Sequence, residues 1–379
     1  MPPAPQIDRW GAFCQLYVLT LAGVAVALSS RFWLFLDERF TLDADYIQAT
    51  LRVADVGLRP EDPFRNIALV YRILGLTESP DLAAMLAVAV FGVATFTAIR
   101  WHEMTRLTPL GLGLITICYV LALLYIAQYS KEFVSLLLVV AVLLLPAGLW
   151  AELAIVVGMA LYASTMRPYW GIVAVLYVAG RLLLPRLRGI LVPLILVVVA
   201  YVGLQLVFNT MLGLPLSHAR ISVNELRADI NISVGSLIVD FLPDAGGLQW
   251  LNAFLVFLSL VIPWPLLLGG SPTYLLIAVV LIVLWRLVYV GLRRVQTEHF
   301  MAPTGMPAAE AARAPFSERA PRIERSIALL LALVVVQAIF EPDYGSYVKH
   351  LTPALPLFIA LLPLRGRDRW TFDSVAVPR

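Results

Sequence analysis

Four groups of charged and polar residues in this chain have types and spacings suited to chemistry at a membrane surface. The first is Asp37 and Glu38, followed within two helical turns by Asp43 and Asp45. Each is a carboxylate able to take a proton from a hydroxyl held within hydrogen-bond reach; the plain alternative is a solvated loop with acids at a helix start. The second is Tyr129-Ser130-Lys131-Glu132-Phe133, at a junction between two apolar stretches. Ser130 and Glu132 suit the cap and first turn of a helix. A lysine there opposes the helix dipole, and Lys131 suits a point charge for a phosphate or a side chain snorkelling to the interface. The third is Arg167-Pro168-Tyr169-Trp170, in which helix initiation and the membrane interface account for everything but Arg167. A planar guanidinium grips a phosphate through two parallel hydrogen bonds. The fourth is Glu341 to His350, a short turn carrying Asp343, Tyr344, Tyr347, Lys349 and His350. The candidate proton acceptors are therefore Asp37, Glu38, Asp43 and Asp45. The candidate substrate or phosphate ligands are Lys131, Glu132, Arg167, Tyr169, Asp343, Tyr347, Lys349 and His350.

Other chemistries find little footing. Cys14 and Cys118 are the only cysteines and both sit in apolar stretches, so neither a disulfide framework nor a thiolate metal site is indicated. His102, His218 and His299 lack metal-ligand spacing, and no phosphate-binding glycine loop occurs. No cofactor is required by any motif; a divalent cation on the first-loop acids is admitted by their oxygen chemistry but not demanded.

The elements that must position these groups are membrane helices. A hydrophobic share of 60%, a charged share of 14% and a mean hydropathy of +0.85 exclude a soluble domain of this length. The net charge of +3 gives no reason to expect a nucleic-acid partner. The expected fold is all-α: one polytopic membrane domain over residues 1–379, with about 10–11 membrane segments of roughly 20 apolar residues each. Candidates run from Gly11 to Phe35, Leu82 to Trp101, Thr108 to Gln128, Phe133 to Gly148, Leu149 to Thr165, Tyr169 to Leu184 and Gly189 to Gly213. Further ones run from Trp250 to Leu268, Thr273 to Leu292, Ser326 to Phe340 and Leu351 to Leu364. The first reads as a retained helix, without a cleavage signature.

Residues 36–82 form a long first loop with two amphipathic helical patterns, Tyr46, Ile47, Leu51 and Ala54, then Ile67, Val70, Tyr71 and Leu74, separated by LRPEDP. Such helices lie on a membrane rather than cross it. Arginines near span ends, Arg100 and Arg106, Arg181, Arg186 and Arg188, and Arg365, Arg367 and Arg369, mark the cytoplasmic side. The 36–82 loop, Lys131, Arg167, a second long loop at 214–249 and the 341–350 turn are then external. The Ala/Pro-containing linker at 293–325 also reads as cytoplasmic, which requires one fewer crossing between 250 and 292. Pro263-Trp264-Pro265 and Gly269-Gly270-Ser271-Pro272 offer the break for a re-entrant turn.

A first span ending in Leu36-Asp37-Glu38-Arg39, an external loop of two surface helices and a second long external loop after the seventh span together resemble the polytopic GT-C class of glycosyltransferases. Ser130-Lys131-Glu132, Arg167-Pro168-Tyr169, and Lys349-His350 followed by Pro353 and Pro356 resemble bacterial surface-polysaccharide polymerases and related enzymes. The resemblance spans most of the chain in layout but only short motifs in sequence. It implies transfer of sugar from a polyprenyl-(pyro)phosphate donor to a glycan or lipid-linked acceptor, among membrane lipids and other polysaccharide-assembly proteins. It also implies an inner-membrane location with the site facing outside, and a base among the first-loop acids. The absence of a large soluble C-terminal domain departs from the class and leaves acceptor recognition to the loops. A repeat-unit polymerase uses the same groups; a lipid or polysaccharide transporter would instead carry charge at mid-membrane.

Overall fold

The computed structural model describes residues 8–53, 57–59, 62–187, 189–229, 236–242, 246–301 and 320–365. Much of the expected 293–325 linker, including Arg313 and Arg319, lies outside them. In chain order the helices are α1 (Arg9–Phe32), α2 (Glu38–Leu51), α3 (Pro63–Ile73), α4 (Pro80–Ile99), α5 (Pro109–Tyr125), α6 (Glu132–Leu144), α7 (Leu149–Thr165) and α8 (Trp170–Leu183). They continue as α9 (Leu191–Val207), α10 (His218–Asp229), α11 (Gln249–Val261), α12 (Trp264–Leu268), α13 (Pro272–Met301), α14 (Ala320–Phe340), α15 (Tyr344–Leu351) and α16 (Leu355–Ile359). Among the described residues the only β pairings are two isolated bridges, Leu107 with Leu364 and Leu237 with Asp343.

Five of these, α1, α4, α9, α13 and α14, are long and apolar enough to cross a membrane, as in an integral membrane protein. Their surroundings differ sharply. Only 17% of the apolar window of α9 is buried, so it presents leucine and valine to its surroundings, whereas 83% of that of α14 is enclosed. Helix α14 is thus the centre of the bundle, packed by α8, α11 and α13.

The surface pair forms as its apolar spacing dictates. Asp62 caps α3 by accepting from the Phe64 and Arg65 amides, and Pro63 occupies the first turn, where a missing N–H costs nothing. Ile47 and Leu51 of α2 and Ile67 and Tyr71 of α3 are buried, while Tyr46 and Leu74 are exposed. The expected last span is different from a single helix. Residues 351–364 break into a 3-10 turn, the five-residue α16 and an irregular tail, almost all buried. Pro353 and Pro356 explain the breaks, since each supplies no amide to the preceding turn.

Side-chain bonds sort the bundle into two ends. At one, Arg181 bonds Glu152 and Glu324, Arg325 bonds Glu152, Arg322 bonds the Thr97 carbonyl and Gln296 bonds the Gly189 carbonyl. At the other lie α2, α3, the α5–α6 and α7–α8 junctions, the loop before α11, and α15. Helix α11 starts at this second end, where the Trp250 amide bonds Gln205 and the Phe241 amide bonds Asn252. Helix α13 starts there too, because Trp285 midway along it bonds Tyr347 of α15 while Gln296 has reached the arginine-bearing end. The segment from α11 through α12 to Pro272 therefore enters the bundle and doubles back, turning at Ile262-Pro263-Trp264.

Candidate functional site

At the end opposite the arginines, charged residues from four separate chain segments meet. Asp43, on α2, places Oδ2 2.5 Å from Lys349 Nζ and 3.9 Å from Lys131 Nζ. Asp43, Ile47 and Leu51 are spaced four residues apart, so the inward stripe of α2 carries its carboxylate toward the bundle. Lys131 precedes the first turn of α6, and its ammonium stands 3.6 Å from the centroid of the Phe64 ring of α3, a cation–π contact.

Beside this triad lies a second, deeper one. Glu132 is 1% exposed and accepts from Arg167 at 2.5 Å through Oε1 and from the Ser130 hydroxyl at 2.6 Å through Oε2. Arg167 also donates to the Tyr169 hydroxyl at 2.7 Å, and Tyr169 stacks on Phe340 at the end of α14. The junction is stapled by Tyr71, whose hydroxyl donates to the Ser130 carbonyl at 3.1 Å and accepts from the Ser130 amide at 3.0 Å. His350 joins it from α15: Nδ1 is 2.6 Å from Glu341 Oε1 and Nε2 is 3.5 Å from Glu132 Oε1. The other oxygen of Glu341 is buried and has no hydrogen-bond partner among the described residues, an arrangement that native proteins keep rare.

The electrostatics follow from this packing. Burial pushes the Asp43 carboxyl up, but Lys349 and Lys131 more than offset it and hold the group below its usual range. Burial pulls the Lys131 ammonium down to about 8, against the attraction of Asp43 and with the repulsion of Arg167. Burial raises the Tyr169 phenol to about 12, against the pull of Arg167, so it is a neutral donor and acceptor at physiological pH.

Several expected ligands take other places. Asp37 and Glu38 are exposed at the start of α2, and Asp45 is exposed and accepts from Thr41 at 3.0 Å. Asp343 caps α15, accepting from the Ser346 amide at 2.7 Å and its hydroxyl at 2.8 Å. Tyr347 points inward and accepts from Trp285 at 2.9 Å. Both therefore support the turn from beneath. Glu341 and Tyr71 were outside the expected set although both contact it. Glu341 belongs to the same charged turn as His350, nine residues earlier, and that proximity was its one visible signal.

A larger hollow lies elsewhere. A cavity of about 610 Å³ opens between α8, α9, α13 and α14, and its walls are apolar apart from Arg286 and the Tyr289 ring. Its lining holds no paired acid and base, in contrast to the charged cluster. Among the described residues, no group of three or more His, Cys, Asp and Glu side chains is arranged to hold a metal ion. No family model, curated protein or solved structure matches this chain.

Proposed function

We propose that this chain is a membrane glycosyltransferase that uses a polyprenyl-(pyro)phosphate-linked sugar to build a cell-surface glycan on the outer face of a bacterial inner membrane. One observation supports the reading above the others: a carboxylate and two ammonium groups from α2, α6 and α15 meet at one end of an apolar bundle. A lipid-linked sugar has its tail in the bilayer and its phosphate at this depth. In the transfer, the acceptor hydroxyl oxygen attacks the sugar's anomeric carbon, and the bond from that carbon to the phosphate oxygen breaks. Asp43 takes the hydroxyl proton, and the leaving phosphate keeps the electron pair beside Lys131 and Lys349. Arg167 acts one layer back, holding Glu132 and with it the start of α6.

The test is sugar transfer from a polyprenyl-phosphate donor by the purified protein. Asp43→Asn is expected to abolish turnover while donor binding survives, because the lost interaction belongs to the transition state. Undiminished transfer by this variant removes Asp43 as the base. For orientation, cysteines at positions 48 and 224 are expected to react with an impermeant reagent from outside.

A second reading, a lipid transporter, is favoured by Arg286. This arginine lies midway along the apolar α13 and lines the large cavity, and charge inside a membrane helix marks pathways for ions and lipids. A parent protein that moves lipid phosphates across liposomes without making a glycosidic bond selects this reading.

A further inference from the structure

The three cations expected to hold a phosphate are not equally available. Arg167 is committed to Glu132, a carboxylate 1% exposed and also held by Ser130. Releasing Arg167 would strip this buried carboxylate of its guanidinium partner. Lys131 and Lys349 are different: both lie within 4 Å of the same oxygen, Oδ2 of Asp43. Two ammonium groups converging on one anionic oxygen is the geometry a phosphoryl oxygen needs.

The Asp43 carboxylate is carried by the first half of a surface helix. Ile47 and Leu51 anchor the second half of α2 in the core, and the turn that carries Asp43 lies outside that anchor. Gln128 donates to the Phe40 carbonyl at 2.9 Å, and Phe40 meets Tyr125 edge-on at 6.0 Å. The other strong contacts of α2 run to α3, through Tyr46 against Phe64 and through Arg72 to the Leu51 carbonyl. The Asp43 side chain is itself 28% exposed, so water and an incoming anion reach it.

We propose that Asp43 is a displaceable stand-in for the ligand's phosphoryl group: a lipid phosphate takes Lys131 and Lys349 from it, and the freed carboxylate becomes the proton acceptor. The first half concerns anion binding alone; the second rests on the glycosyltransferase reading. Binding and activation are coupled. While the lysines hold Asp43 it is a weak base, and once they turn to the phosphate its proton affinity recovers. Because the ligand must displace a competing carboxylate, its apparent affinity in the parent is reduced by the fraction of sites Asp43 occupies. A group with two negative charges, a pyrophosphate-linked donor or the phosphate monoester left after transfer, is the ligand class favoured in that exchange.

The experiment measures inorganic phosphate binding to the full-length protein in lipid nanodiscs, by calorimetry. Asp43→Asn is expected to bind phosphate about tenfold more tightly than the parent, and Lys349→Met at least about tenfold more weakly. Asp43→Glu retains a competing carboxylate and is expected to stay near the parent. A spin label at Leu42 is expected to shift relative to one on α5 when phosphate is added to the parent. In Asp43→Asn, the label is expected to sit in the shifted position without phosphate. A folded Asp43→Asn protein, judged by an unchanged melting temperature, that binds phosphate no more tightly than the parent overturns the stand-in. Tighter phosphate binding by this variant, with sugar transfer undiminished, upholds displacement and overturns the role as base. Tighter binding in a protein that transfers no sugar under any condition upholds displacement and sinks only the glycosyltransferase reading.

Discussion

The two ends of the bundle each hold a network of ion pairs, and they are built on opposite terms. At the arginine-bearing end, Arg325 is fully buried and all its bonds go to fixed partners: Glu152 at 2.9 Å and the Leu145 and Pro146 carbonyls at 2.6 and 2.9 Å. Tyr177 completes Glu152 at 2.7 Å. At the other end, Lys131 and Lys349 share one carboxylate on a surface helix. A network in which two arginines share one carboxylate, itself bonded by a tyrosine, fastens helices together. One whose two lysines share an acid on a surface helix leaves capacity for something that arrives from outside.

The largest effect that can break this contrast is on stability. Arg325→Met leaves the buried Leu145 and Pro146 carbonyls without their donor and takes one of two arginines from Glu152, and is expected to cost about 2 to 6 kcal/mol, read as a fall in melting temperature in detergent. Asp43→Asn is expected to change stability by less than about 1 kcal/mol. Equal losses from the two variants would erase the distinction between fastening and binding.

Next in size is Arg167→Lys. An ammonium cannot serve Glu132 and the Tyr169 hydroxyl in the geometry of the guanidinium fork, so a loss of about 1.5 to 3 kcal/mol is expected, seen both in melting and in transfer. A variant indistinguishable from the parent would mean that the deeper triad does not position the site.

A smaller effect appears with pH. Burial lowers Lys131 to about 8, so it is cationic below that pH and neutral above it. Phosphate affinity that depends on this charge therefore falls as pH rises through about 8, by several-fold on the scale of one charged hydrogen bond. Inorganic phosphate gains its second charge near neutrality, at the low end of this range, so the fall due to Lys131 is read above about pH 8. Lys131→Met is expected to remove the fall above about pH 8; a fall that persists there would assign it to another group. The smallest expected change is Tyr169→Phe, which keeps the stacking on Phe340 and loses one bond to Arg167, about 0.5 to 1.5 kcal/mol in melting.

How much of this was legible in the sequence depends on whether helical phase or distance decided it. The surface helices and their buried faces followed from apolar spacing, and the same spacing could have chosen Asp43, since it shares the stripe of Ile47 and Leu51. Asp343 followed by Tyr-Gly-Ser is a helix-cap pattern, and its capping role was equally readable. Tyr347 falls on the stripe of Tyr344 and Leu351, which is buried, whereas Lys349 and His350 fall off it. The pairing of Lys349 with Asp43 was not legible, because more than 300 residues separate them and no local rule joins them. Nor was the commitment of Arg167 to Glu132, which are 35 residues apart on different helix junctions: an arginine reads as available until its buried partner is placed beside it. Arg286 is visible in the sequence as a lone charge in an apolar run, but which wall it lines depends on packing that no local pattern encodes.

The burial of Arg325 also sets an order of assembly. The Leu145 and Pro146 carbonyls at the end of α6 wait for a side chain made 180 residues later, on the helix that fills the middle of the bundle. At a synthesis rate of roughly 5 to 20 residues per second, that delay is on the order of ten to forty seconds. Until α14 is made, these carbonyls and the faces of α8 and α11 that pack on it have no partner from that helix. Chains truncated before Ala320 are expected to reach the membrane but remain open along those faces, where a membrane protease or chaperone can recognise them.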